Sequence, residues 1–182
     1  MKKTRRLTLC AILIALALGL SYMERFIPLN LVVPLPGVKL GLANIVTLMA
    51  LYFLDVPTAF TVLILRCILN TPFSGSITAL AFSVTGGVFA LAVMALARHI
   101  PQISIYGVSI LGAAAHNIGQ ICAAMVLLGS TYVIAYLPFL LLVSILTGVI
   151  TGSAASGSFR VLRAAGQFPG LRKEQSYAGA SR

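Results

Sequence analysis

Six apolar runs, at about residues 7–26, 40–54, 58–70, 77–97, 108–128 and 132–152, take up most of this chain. A hydrocarbon core of about 30 Å calls for about 20 apolar residues in a helix. Only helices and closed barrels satisfy their backbone groups inside lipid. Runs of this length read as helices, so the expected fold is all-α: a polytopic membrane protein built as a compact bundle of six transmembrane helices. A soluble core is excluded by composition, because 59% of the 182 residues are hydrophobic and 9% charged, more apolar surface than a chain this size buries from water. The second and third runs are short and are divided by Asp55-Val56-Pro57. Proline favours an extended residue before it and starts a helix readily, so this pair is expected to form a helical hairpin sheltered by the other spans.

The formal net charge of +10 invites a nucleic-acid reading, but its distribution answers that. Lys2, Lys3, Arg5 and Arg6 precede the first apolar run, and Arg160, Arg163, Arg172, Lys173 and Arg182 follow the last. Six spans put both termini on one side of the membrane. With Arg98, ten of the thirteen basic residues then lie on that side, leaving Arg25, Lys39 and Arg66 toward the other. The positive-inside rule makes the terminal side cytoplasmic, in a cell membrane crossed several times. The basic, apolar N-terminus also resembles a signal peptide, but no small-residue cleavage site precedes a polar region, so it reads as a retained first span. Residues 1–153 form the expected transmembrane domain and 154–182 a basic cytoplasmic tail with little fixed structure. Cys10, Cys67 and Cys122 are odd in number and far apart, and read as packing residues.

Small residues recur every four positions: Ala11, Ala15 and Gly19; Ala79, Ser83 and Gly87; Ala115, Gly119 and Ala123; Ser144, Gly148 and Gly152. Such ridges let helices approach closely in lipid.

Polar residues inside the runs converge on the outer half. Glu24 and Arg25 end the first run, and Lys39 and Asn44 begin the second. Arg66 and Asn70, one turn apart, close the third. His116 and Gln120 share the same spacing in the fifth, with Asn117 beside them. Each alone reads equally well as helix-to-helix glue, with Glu24 neutralising a neighbouring arginine and Lys39 snorkelling to headgroups. The set reads better as a substrate-binding pocket: Lys39, Asn44, Arg66, Asn70, His116, Asn117 and Gln120, with Glu24 and Arg25 as charge partners. Three basic residues face one acid there, an imbalance that an anionic ligand relieves. Arg66 is the strongest candidate, since a guanidinium grips carboxylate or phosphate with a planar fork. Residues 27–39 are apolar yet hold Pro28, Pro34 and Pro36, so they form either a lid over the pocket or a stiff connector.

GVKLGLANIVTLMALYFL (37–54), LILRCILNTPFSG (63–75), SVTGG (83–87) and SILGAAAHNIGQ (109–120) resemble the Gx transporter family, often labelled heptaprenyl diphosphate synthase component I. That family is in turn similar to the substrate-binding S components of energy-coupling factor transporters. The resemblance implies a six-helix capture subunit for a vitamin or precursor, working with a transmembrane coupling protein and two ATPases. It also implies an external loop that closes over substrate and a docking face on the first helix, where Ala11 and Ala15 have the required spacing. The synthase label implies a different role, as a membrane partner. Glu24, Asp55 and Glu174 are the only acids, too few for the aspartate-rich magnesium sites of a prenyl diphosphate synthase. No nucleophile–base pair, metal-ligand set, cofactor motif or Walker A sequence stands out, so the expectation is a protein that is not an enzyme and holds no cofactor or metal.

Overall fold

The computed structural model describes residues 3–24, 26–27, 39–74 and 76–164. These fold as α1 (Lys3–Glu24), α2 (Asn44–Phe53), α3 (Val56–Ser74), α4 (Ile77–Ala97), α5 (Ile105–Leu128), a short 3-10 helix (Thr131–Tyr136) and α6 (Leu137–Ala164). No strand occurs among the described residues. Arg25 and residues 28–38 of the expected lid lie outside them.

Five of the six α-helices are long and apolar enough to cross a membrane, and α2 is the exception. Its 10 residues span about 15 Å, half of a hydrocarbon core. Its sequence, NIVTLMALYF, is apolar nearly all round, and every residue but Tyr52 is buried. A helix apolar on all sides belongs inside a protein. Here α2 packs against each of the other five helices and forms the centre of the bundle. The expected pair of short helices is therefore half corrected. The third helix is full length, starting at Val56 and carrying on through Pro72 to Ser74. Pro72 falls in the last turn, so the backbone bond it removes is among the last of the helix.

Local chemistry fixes the turns. Asp55 caps α3: its Oδ1 accepts from the Thr58 N–H at 2.8 Å and the Thr58 hydroxyl at 2.6 Å. Arg6 on α1 donates to Asp55 Oδ2 at 2.5 Å and also contacts the Thr58 hydroxyl. Arg98, just past α4, donates to the Leu51 carbonyl at 2.8 Å, satisfying one of the free carbonyls that end α2. Arg6, Asp55 and Arg98 thus gather at one end of the bundle. Ser76 and Ser104 cap α4 and α5, and Gly129, with φ +61°, ends α5.

Three of the four small-residue ridges meet other helices. A Cβ on Gly119 would lie 2.9 Å from Gly86 Cα, one on Gly148 2.5 Å from Ile110 Cα, and one on Gly87 2.5 Å from a Leu63 methyl. The α1 ridge differs: Ala11, Ala15 and Gly19 are exposed and face away from the bundle. Exposed Leu7, Ile12, Leu16, Leu142, Ile145, Leu146 and Ile150 continue an apolar outer surface that suits lipid. The last helix runs to Ala164, so the boundary expected at 153 falls inside α6, and residues 154–164 are helical. Residues 165–182 lie outside the described residues.

Candidate functional site

Two apolar clusters divide the core. One surrounds α2 and includes Leu48, Leu51, Leu91, Met94, Val108 and Phe159; the other joins Phe82, Ile121, Ala124, Val133 and Leu140. Along α4 and α5 the level between them carries Gly86 and Gly87 on the first helix and His116, Asn117 and Gln120 on the second. This is where the polar side chains meet.

His116 is 3% exposed, and its ring lies between two glycines. A Cβ on Gly86 would be 2.8 Å from both Cε1 and Nδ1, and one on Gly41 would be 2.9 Å from Cδ2. The same position on Gly41 is 2.9 Å from Asn44 Nδ2, which places Asn44 beside the ring. Gly41 adopts φ +83°, a backbone conformation that a side chain makes costly, so glycine is required here on two grounds. Nδ1 of His116 lies near the Gly86 backbone without hydrogen-bond geometry, and Nε2 also has no partner among the described residues. Arg66 reaches the next glycine: its Nη2 is 3.5 Å from where a Gly87 Cβ would sit. Arg66 is buried, and its Nε and Nη2 have no hydrogen-bond partner among the described residues.

Asn44, Thr47, Arg66 and His116 together leave seven buried side-chain nitrogen and oxygen atoms without a hydrogen-bond partner among the described residues. Each such atom costs about 1–3 kcal/mol, more where the group is charged. Helix-to-helix bonds among the described residues use none of these seven atoms.

Other predicted residues do make such bonds. The Gln120 amide pairs twice with the Lys39 backbone, donating to its carbonyl at 2.9 Å and accepting from its N–H at 3.0 Å. Asn117 donates to the Leu140 carbonyl at 2.8 Å, tying α5 to α6, while its Oδ1 stays open. Glu24 Oε1 accepts from the Gly41 N–H at 2.5 Å and more distantly from the Leu42 N–H at 3.5 Å. Residues 39–42 are therefore held to the bundle from both sides, by Gln120 on α5 and Glu24 on α1. Lys39 and Arg66 lie near enough to Glu24 for their charges to act on it. Asn70 is buried one turn beyond Arg66. Arg25 lies outside the described residues, and no group of three His, Cys, Asp or Glu able to hold a metal ion occurs among those described.

Gly41, Gly86, Gly87 and Thr47 belong to this site although the sequence reading did not place them there. The glycines stand within KLGLAN and SVTGG, strings distinctive in themselves. Their role is to make room for His116 and Arg66, which only the packed helices show.

Fold and site define a class: a polytopic α-helical membrane protein with open polar groups buried among its helices. Residues 13–157 match the family model described as heptaprenyl diphosphate synthase component I, and the chain belongs to that family. It is the family that the KLGLAN and HNIGQ strings resemble. No curated protein and no solved structure matches the chain.

Proposed function

We propose that this protein is a membrane-embedded capture subunit for a small anionic organic nutrient, of the vitamin or precursor kind. The observation that carries the reading is Arg66: a buried guanidinium with two open nitrogens, among further open groups on Asn44, Thr47 and His116. A permanent positive charge is costly at this depth, and a bound anion offsets that cost. Glu24 and Gln120 position the 39–42 segment at the site's edge. Uptake requires an energy source outside this chain, so the expected partners are a transmembrane coupling protein and its ATPases, with exposed Ala11 and Ala15 on α1 as the docking face. The basic termini, with Arg6 and Arg98 at the same end of the bundle, support cytoplasmic N- and C-termini in the cell membrane.

The family description favours a second reading, a non-catalytic membrane subunit of a heptaprenyl diphosphate synthase. One experiment separates the two. The protein is purified in mild detergent beside Arg66→Ala, and co-purifying proteins and small molecules are identified by mass spectrometry. Capture predicts a small water-soluble anion that Arg66→Ala loses, with ATPases among the co-purifying proteins. A soluble synthase, with a long prenyl diphosphate or only phospholipid in both samples, refutes capture in favour of the accessory role.

A further inference from the structure

The open atoms on Arg66 are Nε and Nη2. These two nitrogens form the side edge of the guanidinium, where two N–H bonds run parallel and match the two oxygens of a carboxylate. On Asn44 both Nδ2 and Oδ1 are open, one donor and one acceptor from a single amide. An amide presents that pair most completely to another amide-like edge, a C=O beside an N–H. The His116 ring lies against both neighbourhoods, meeting Asn44 at Gly41 and reaching Gly86, the glycine next to the one Arg66 approaches.

Charge narrows the ligand further. Lys39 and Arg66 lie near enough to Glu24 for their charges to act on it, and two bases beside one acid leave this end of the bundle formally positive. That excess favours an anion, and the two parallel N–H bonds of the Nε–Nη2 edge match the two oxygens of one carboxylate. Resting on the capture reading above, we infer that the ligand is a monocarboxylate. Its carboxylate docks on the Nε–Nη2 edge of Arg66, and an uncharged amide-like edge of the same molecule pairs with Asn44. Thr47, one turn along α2, adds a hydroxyl to the Asn44 side. Gln120 touches no ligand in this arrangement; it is a positioning residue, holding Lys39.

The test uses the full chain in mild detergent, with displacement of the molecule it retains as the readout. The probes are 5-oxoproline (a monocarboxylate with a lactam edge), 2-pyrrolidinone (the same lactam without the carboxylate), acetate and inorganic phosphate. The expected result is displacement by 5-oxoproline at concentrations about tenfold or more below those needed for each of the other three. Arg66→Lys keeps the charge but removes the fork, and is expected to cancel that advantage. Glu24→Gln keeps an oxygen for the Gly41 and Leu42 N–H groups while removing a formal negative charge, and is expected to shift preference toward phosphate. Equal displacement by 2-pyrrolidinone, a preference for phosphate in the unaltered protein, or a retained molecule whose mass identifies a phosphate ester or an uncharged compound overturns the inference while leaving capture standing. A protein that retains nothing but phospholipid overturns capture itself, and this inference with it.

Discussion

Replacing Gly86 by alanine tests the site where α4 and α5 touch. The new Cβ would stand 2.8 Å from His116 Cε1 and Nδ1 and 2.9 Å from the His116 carbonyl oxygen, where ordinary contacts of a Cβ lie at 3.4–4 Å. A ring can swing aside; the carbonyl moves only if α5 moves. That movement is opposed by the close approach of Gly119 to the same stretch of α4, its own Cβ position being 2.9 Å from Gly86 Cα and Thr85 O. Overpacking of this kind costs about 1–3 kcal/mol, and the better helix propensity of alanine returns up to about 1 kcal/mol. The expected net loss is about 1 kcal/mol, read as a lowered midpoint of thermal unfolding in mild detergent. Gly19→Ala is the control, since nothing lies within 4 Å of its Cβ position, and it is expected to be neutral or slightly stabilising. In the double variant Gly86→Ala with His116→Ala the ring contacts vanish and the carbonyl contact stays, so stability relative to His116→Ala alone is still reduced, by less than in the wild-type background. Gly86→Ala unfolding together with the wild type would refute the backbone contact between α4 and α5.

Three further outcomes are expected. Gln120→Ala removes both bonds to the Lys39 backbone, and amide hydrogen exchange at residues 39–42 should quicken, by an opening free energy lowered by about 1–3 kcal/mol; unchanged exchange there would show that Gln120 does not hold the segment. Asn117→Ala should lower stability by about 0.5–2 kcal/mol through the lost bond to Leu140, with ligand retention unchanged; lost retention would move Asn117 into the ligand's contacts. The hydroxyl and N–H of Thr58, then Arg6, hold the Asp55 carboxyl below its ordinary value of 3.8. Because the folded value is the lower one, the carboxylate's contribution to stability is complete above the unfolded value and is lost as pH falls through the folded one. Thermal midpoints below about pH 4 should therefore fall less steeply in Asp55→Asn than in the wild type, and parallel curves would refute the cap.

Much of the bundle is legible from the chain. Four of the five long helices follow from the length of the apolar runs, because the bilayer imposes a span length and an intact backbone ladder on any sequence that crosses it, while α3 runs beyond the short 58–70 stretch that marks it. Proline and aspartate at residues 55–57 mark the start of α3 by their own backbone preferences. The convergence of Asn44, Arg66 and His116 is legible too, since topology alone brings those positions toward one half of the bundle.

The depth of α2 was not. Its shortness leads one to expect a hairpin with α3 sheltered by the other spans, but only the five surrounding helices make α2 alone the buried centre. The division of labour among the polar residues was likewise beyond the sequence. Gln120 and His116 share a helix face, yet one spends both amide atoms on the Lys39 backbone and the other is left open between Gly41 and Gly86. Residue type and spacing establish that a polar atom needs a partner. Which partner it meets depends on neighbours remote in sequence, and so on how closely α4 and α5 approach at Gly86 and Gly119. The sequence by itself determined a polytopic helical protein carrying polar groups at one level; the tertiary packing decided which of those groups are spent on the fold and which remain open.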